Sequence, residues 1–166
     1  LGLAAAHGDY LFYLDADDEC APRLLEATVQ KAEETRADIV IFDYLTFSAQ
    51  TDRENHRAGC VASWLPKNAD TFSRRELPKN ICEIAFTAPW CKLYRRDFVA
   101  GNALTFDGIR TCNDLTFCAM SLLSAETIAY LPQTLYRYRV HHADTLSSFK
   151  KNTGDDVLSA VSSLAS

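Results

Sequence analysis

A chain of 166 residues, 48% hydrophobic and 23% charged, is long enough to bury a core as one soluble globular domain and too apolar to be disordered. Its net charge of −5 argues against a general nucleic-acid binder, and no apolar run approaches the roughly 18 residues of a membrane-spanning helix, so any membrane association would be peripheral. Six cysteines, at 20, 60, 82, 91, 112 and 118, form no Cys-x-x-Cys pair, and a chain with this much core needs no disulfide framework, so they read as reduced, cytosolic thiols.

Leu1 to His7 is Ala-rich and stopped by Gly8-Asp9, a helix already under way at the first residue. Tyr10 to Leu14 is apolar without a helical period and reads as a buried strand of a parallel sheet, with Asp15, Asp17 and Asp18 just past its carboxyl end. Open α/β sheets bind ligands there. Alternate residues of an extended segment point the same way, so Asp15 and Asp17 can share one hard cation while Asp18 faces elsewhere. The plainer alternative is that Asp17 or Asp18 caps a helix begun by Glu19 to Arg23, with Pro22 in its first turn. A cap needs one acid, whereas three carboxylates in four positions repel one another unless something positive sits among them, so the metal reading is preferred.

Ala21 to Thr35 places Leu24, Leu25, Val29 and Ala32 on one face and charges on the other, an amphipathic helix. Arg36-Ala37 turns the chain, and Asp38 to Phe47 reads as a strand returning in parallel to the same sheet. Residues 48–70 are a polar surface excursion in which His56 and Cys60 match no metal spacing. Ser73-Arg74-Arg75-Glu76 is a capping box that predicts a helix to about Phe86, with Pro78 near its start. Thr87-Ala88-Pro89 breaks the chain before Trp90-Cys91-Lys92-Leu93-Tyr94. Tryptophan there is commonly core, but a lysine inside an apolar run calls for a carboxylate or phosphate partner. A short helix runs from Arg95 to Ala100, Phe106-Asp107-Gly108 turns, and Asn113-Asp114 opens an apolar helix over 115–123. By physics alone Asp114 is a helix cap or first-turn acid. Thr127 to Leu131 and Gln133 to Val140 read as two strands around Pro132. The pair His141-His142 follows and offers an imidazole ligand, with His142 taken as the candidate although nothing separates it from His141. Residues 149–166 form a tail or helix outside the core.

Four of these segments together resemble a known family. Gly2-Leu3-Ala4, Ala6-His7-Gly8-Asp9-Tyr10 and Leu14-Asp15-Ala16-Asp17-Asp18 look like the middle of a family 2 glycosyltransferase, the GT-A nucleotide-sugar enzymes with an Asp-x-Asp motif. Ala88-Pro89-Trp90-Cys91-Lys92-Leu93-Tyr94 resembles the family's Trp-x-Lys-Leu segment, Asn113-Asp114-Leu115-Thr116-Phe117 its Glu-Asp-x-x-Phe segment, and Leu135-Tyr136-Arg137-Tyr138-Arg139 its closing Tyr-x-Tyr-Arg strand. The resemblance covers the chain to about Ser148 and the latter part of a family domain, which implies upstream strands carrying the base pocket.

The fold expected is α/β, a mostly parallel sheet flanked by helices, with residues 1–148 a partial GT-A domain of the Rossmann-like nucleotide-diphospho-sugar transferase type and 149–166 a tail. The resemblance implies inverting transfer of a sugar from a nucleoside diphosphate sugar to a hydroxyl of a glycan or lipid-linked glycan, in bacterial surface polysaccharide synthesis. It places the enzyme in the cytoplasm or at the inner face of the membrane. Asp15, Asp17 and His142 would hold Mg²⁺ or Mn²⁺. Asp114 would be the base, and Asp15, Asp18, Trp90, Lys92 and Asn113 would contact donor or acceptor, Asn113 standing where the family usually has Glu. A nucleotidyltransferase of similar fold, or a non-catalytic binding fragment, is the alternative. An uncovered sheet edge in a partial domain would also favour self-association.

Overall fold

The structure is a computed structural model that describes residues 2–48, 53–106, 108 and 113–140. Helix α1 (Gly2–Ala5) is short and leads into β1 (Tyr10–Phe12). The acids follow, then β2 (Glu19–Cys20) and the amphipathic helix α2 (Leu24–Thr35), which ends where Arg36 takes a left-handed conformation at φ 53°. The ten-residue strand β3 (Ile39–Ser48) carries the core, with β4 (Arg53–Arg57) paired antiparallel to it as a solvent-exposed hairpin arm. Strands β5 (Thr71–Phe72) and β6 (Lys92–Arg95), helices α3 (Arg96–Gly101) and α4 (Leu115–Ser124), and the long strand β7 (Ile128–Arg139) complete the described chain.

The sheet order is β1-β6-β3-β7-β2, with β4 against β3 and β5 against β7. Among the described residues only β3 and β7 pair in parallel, and every other ladder is antiparallel, so the sheet is mixed rather than mostly parallel. β1 and β3 do run in the same direction, as a strand-helix-strand unit requires. The short strand β6, returning from the 53–91 excursion, inserts between them and pairs antiparallel with both. Periodicity cannot report such an insertion, because it records burial and not neighbours. β1 is bonded to β6 alone among the described residues.

Side chains alternate across β3. Ile39 and Ile41 face α3 and α4 with Phe98, Val99, Phe117 and Leu122. Val40 and Phe42 face the side of α2 with Leu24, Ala27 and Ala32. Helices therefore cover both faces, which explains why β3 reads as a nearly unbroken apolar run.

Four local expectations are corrected. The capping box forms, Glu76 accepting the Ser73 N–H at 2.8 Å and its hydroxyl at 2.7 Å, but only turns and a 3₁₀ segment at Ile81–Glu83 follow. Pro78 lacks an N–H and disfavours helical backbone at Leu77, which stops propagation at the first turn. The strands either side of Pro132 are one strand, because the β3/β7 register shifts between Phe42 and Tyr44 and accommodates the proline in an irregularity. Residues 19–20, expected to begin a helix, are β2, and neither Asp17 nor Asp18 caps α2, which starts after Arg23 with no side-chain cap bond. Among the described residues the Tyr10 segment is a three-residue strand bonded on one side, with Leu14 53% exposed, rather than a buried central one. The described cysteines 20, 60, 82, 91 and 118 are unpaired, and no described helix is long and apolar enough to cross a membrane.

Asp38, only 5% exposed, ties three elements together at the start of β3. Its carboxylate accepts the N–H groups of Glu126 at 2.9 Å and Thr127 at 3.2 Å, where α4 passes into β7, and pairs with Arg95 at the end of β6. Asp38→Ala leaves two N–H groups and a guanidinium without their partner and should cost about 2–3 kcal/mol in urea denaturation, whereas exposed ion pairs such as Lys31 with Asp70 should cost about 0–1 kcal/mol.

Candidate active site

Residues 13–18 carry the chain from β1, at one end of the strand order, to β2 at the other. The segment turns back on itself where the Asp18 N–H donates to the Asp15 carbonyl at 3.2 Å. It is fastened to β7. The Asp15 N–H donates to the Tyr136 hydroxyl at 3.3 Å, and that hydroxyl donates to Asp18 Oδ2 at 2.7 Å. The Arg139 N–H donates to Asp18 Oδ1 at 2.7 Å, and Arg139 Nε to the Asp17 carbonyl at 2.8 Å. The sequence placed Asp18 against donor or acceptor. Both its carboxylate oxygens instead accept hydrogen bonds from β7, so the side chain secures the loop.

A cleft of about 600 Å³ opens beside the loop. Its walls are residues 11–15 with α1 on one side, Pro89 and Trp90 on another, and Phe106, Asn113 and Asp114 opposite. Four of the predicted residues, Asp15, Trp90, Asn113 and Asp114, thus converge on one space from three separated stretches of chain. Asp17, Asp18 and Lys92 do not line it.

The acids here are electrostatically strained. Asp15 is solvent-accessible at the rim but has protein on enough sides that partial desolvation raises its pKa, and Asp18, Asp17 and Asp114 raise it further. Burial likewise raises the pKa of Asp114, opposed by its own backbone N–H and by the Lys92 charge. Asp114 occupies the cap position of α4 but makes no side-chain cap bond, so helix capping does not account for this carboxylate.

Trp90 is 4% exposed and lies nearly parallel to Tyr136, at 4.7 Å between ring centroids, and to Tyr138 at 5.1 Å. It is both core and cleft wall. Lys92 is fully buried, and the partner the sequence demanded is neither carboxylate nor phosphate. Its Nζ donates to the carbonyls of Phe86 at 2.6 Å and Ala88 at 2.7 Å, oxygens that a regular helix would have satisfied internally and that the break at Pro89 leaves available. Lys92 therefore folds residues 86–91 back on themselves and presents Pro89 and Trp90 to the cleft from beneath, and a direct sugar contact is corrected to a supporting one.

His141 and His142 lie outside the described residues. Among the described residues no group of three His, Cys, Asp or Glu side chains is gathered as a closed metal cage. Asp15 and Asp17 nevertheless supply hard oxygen donors, and Asp15 has like charges close by. That suits a divalent ion completed by phosphate and water rather than by protein. The sequence reading assigned no role to Tyr136 or Arg139, because a strand residue that fastens a loop looks like any strand residue until the pairing is known.

The pattern of Glycosyl transferase family 2 matches residues 1–101, and the chain belongs to that family. It is 27% identical over 143 residues to the uncharacterized glycosyltransferase EpsJ of Bacillus subtilis (strain 168), covering 83% of this chain and 40% of the relative. It is 24% identical over 144 residues to the glycosyltransferase GlyG of Streptococcus pneumoniae serotype 4, covering 84% of this chain and 46% of the relative. The crystal structure of S. aureus TarS 1-349 in complex with UDP-GlcNAc superposes with a TM-score of 0.73 at 18% identity, over 98% of this chain and 43% of that one, a likeness of fold. The chain thus spans less than half the length of these relatives. Family membership sets aside the nucleotidyltransferase alternative.

Lys92→Met keeps the side-chain bulk while removing the charged donor from the carbonyls of Phe86 and Ala88, which keep only the Ala88 N–H and the Cys91 thiol. It should lower stability by about 1–3 kcal/mol and, by removing the cation that favours the Asp114 carboxylate, move the Asp114 titration to higher pH. Urea melts and a carboxyl NMR titration of the two proteins measure both effects.

Proposed function

We propose that this chain is the acceptor-side part of an inverting, metal-dependent glycosyltransferase that moves a sugar from a nucleoside diphosphate sugar to a hydroxyl. The observation that carries the reading is the convergence of Asp15 and Asp114 on one cleft, from the carboxyl end of β1 and the start of α4. The complex of TarS with UDP-GlcNAc supports a donor of the nucleoside diphosphate sugar class. The names of EpsJ and GlyG support glycosyl transfer in bacteria. A surface polysaccharide intermediate handled at the cytoplasmic side of the membrane is the acceptor class we favour.

Asp114 accepts the proton of the acceptor hydroxyl as its oxygen attacks the anomeric carbon, and the bond from that carbon to the diphosphate oxygen breaks with its electron pair leaving on the nucleoside diphosphate. One base and one displacement suffice, and the anomeric centre inverts. Asp15 and Asp17 would hold the Mg²⁺ or Mn²⁺ that neutralises the departing diphosphate. Trp90 and Pro89 form the wall against which the sugars lie, and Asn113 offers an amide to an acceptor hydroxyl beside the base.

A carboxylate base in reach of the hydroxyl contributes about 10²- to 10⁴-fold in rate, so Asp114→Asn in the full-length enzyme should lower turnover by that factor while nucleotide binding with Mn²⁺ stays intact. Turnover within a few-fold of wild type would return Asp114 to a structural role. Because burial raises the Asp114 pKa and the base works ionised, kcat/KM should fall as the pH drops through a value above the ordinary aspartate range. Asp17→Ala should abolish metal-dependent transfer, and full activity in that variant would remove the metal assignment.

A further inference from the structure

We propose that Tyr136 and Arg139 are positioning residues, a latch on β7 that holds the backbone of the acid loop so that Asp15 and Asp17 meet the donor-bound cation already in place. The inference rests on the reading of those two acids given above. It begins from a weakness in the local structure. The loop hangs between a strand of three residues and one of two, neither long enough to fix the geometry of the chain between them.

The latch supplies what the flanking strands do not. Tyr136 is fully buried, with its ring against Trp90, so its hydroxyl oxygen has a set position. That oxygen accepts from the Asp15 N–H and donates to the Asp18 carboxylate, bridging the two ends of the turn from 118 and 121 positions away in sequence. Arg139 closes the other side. Its N–H takes the second oxygen of Asp18, its Nε takes the Asp17 carbonyl, and its guanidinium lies 4.5 Å over the Phe47 ring and 3.5 Å from Glu19. Asp15 is therefore held by its amide and Asp17 by its carbonyl. Both bonds are made by the main chain, so the latch fixes the backbone that carries the two side chains. Outer partners of this kind, which touch ligand residues rather than the ion, typically change affinity about 10- to 100-fold when removed. The contact of Tyr136 with Trp90 also joins the latch to the wall of the cleft, so metal loop and sugar wall rest on one side chain.

The test uses the full-length protein and two variants, Tyr136→Phe, which keeps the ring and its packing, and Arg139→Met, which keeps the backbone N–H to Asp18. Binding of uridine, guanosine, cytidine and thymidine diphosphates is measured in turn by calorimetry with Mn²⁺, and amide exchange is followed in the metal-free protein. Each variant should bind the preferred nucleotide about 10- to 100-fold more weakly with Mn²⁺. Exchange should accelerate at residues 15–18 and stay unchanged in the centre of β3. Wild-type affinity in both variants, or acceleration spread evenly over the sheet, overturns the latch. If Tyr136→Phe does not fold, Arg139→Met decides alone. Wild-type protein that binds none of the four nucleotides with Mn²⁺ overturns the donor reading, and this inference with it.

Discussion

The parallel pairing of β3 with β7 is the constraint on which the rest of the structure depends. It runs from Ile39 opposite Ile128 to Phe47 opposite Arg139, the longest ladder in the sheet, and it is buried by helices on both faces. Parallel strands cannot be joined by a tight turn, so everything between them must travel over the sheet. The hairpin arm, the 3₁₀ segments, β6, α3 and α4 are all carried on that crossover. So are Trp90, Lys92 and Asp114. The pairing also brings the end of β7, with Tyr136 and Arg139, to the loop that leaves β1 at the far side of the sheet order.

Charge is distributed unevenly across this frame. The acids gather at one end, where partial burial and the neighbouring Asp18, Asp17 and Asp114 raise the cost of ionising Asp15. The buried cation nearest them spends its hydrogen bonds on main-chain carbonyls instead of a carboxylate. Lys92 thus eases Asp114 through its field without neutralising it by contact. A carboxylate whose ionisation is disfavoured at the rim of a cleft, as that of Asp15 is, marks a candidate functional site. The hydrogen bonds from β7 that hold the loop go to the Asp18 carboxylate and to backbone atoms of Asp15 and Asp17.

What the sequence determined by itself was the set of chemical parts. The acids after an apolar run, the aromatic and lysine after Pro89, and the acid before an apolar helix were all legible, because each is a local change in pattern visible within a few residues. So were α2, β3 and the polar arm, whose periodicity or polarity extends over many residues. Tertiary structure decided which parts meet. The insertion of β6 between β1 and β3, with the antiparallel pairing of β2, β4 and β5, made the sheet mixed, and only the long register of β7 gave Asp18 its partners and turned an expected donor or acceptor contact into a fastening. Only the broken segment at Pro89 supplied carbonyls for Lys92. A hydrophobic pattern fixes which face of an element is buried but carries no record of what lies against it, and these assignments are properties of neighbours separated by as many as 122 positions in the chain.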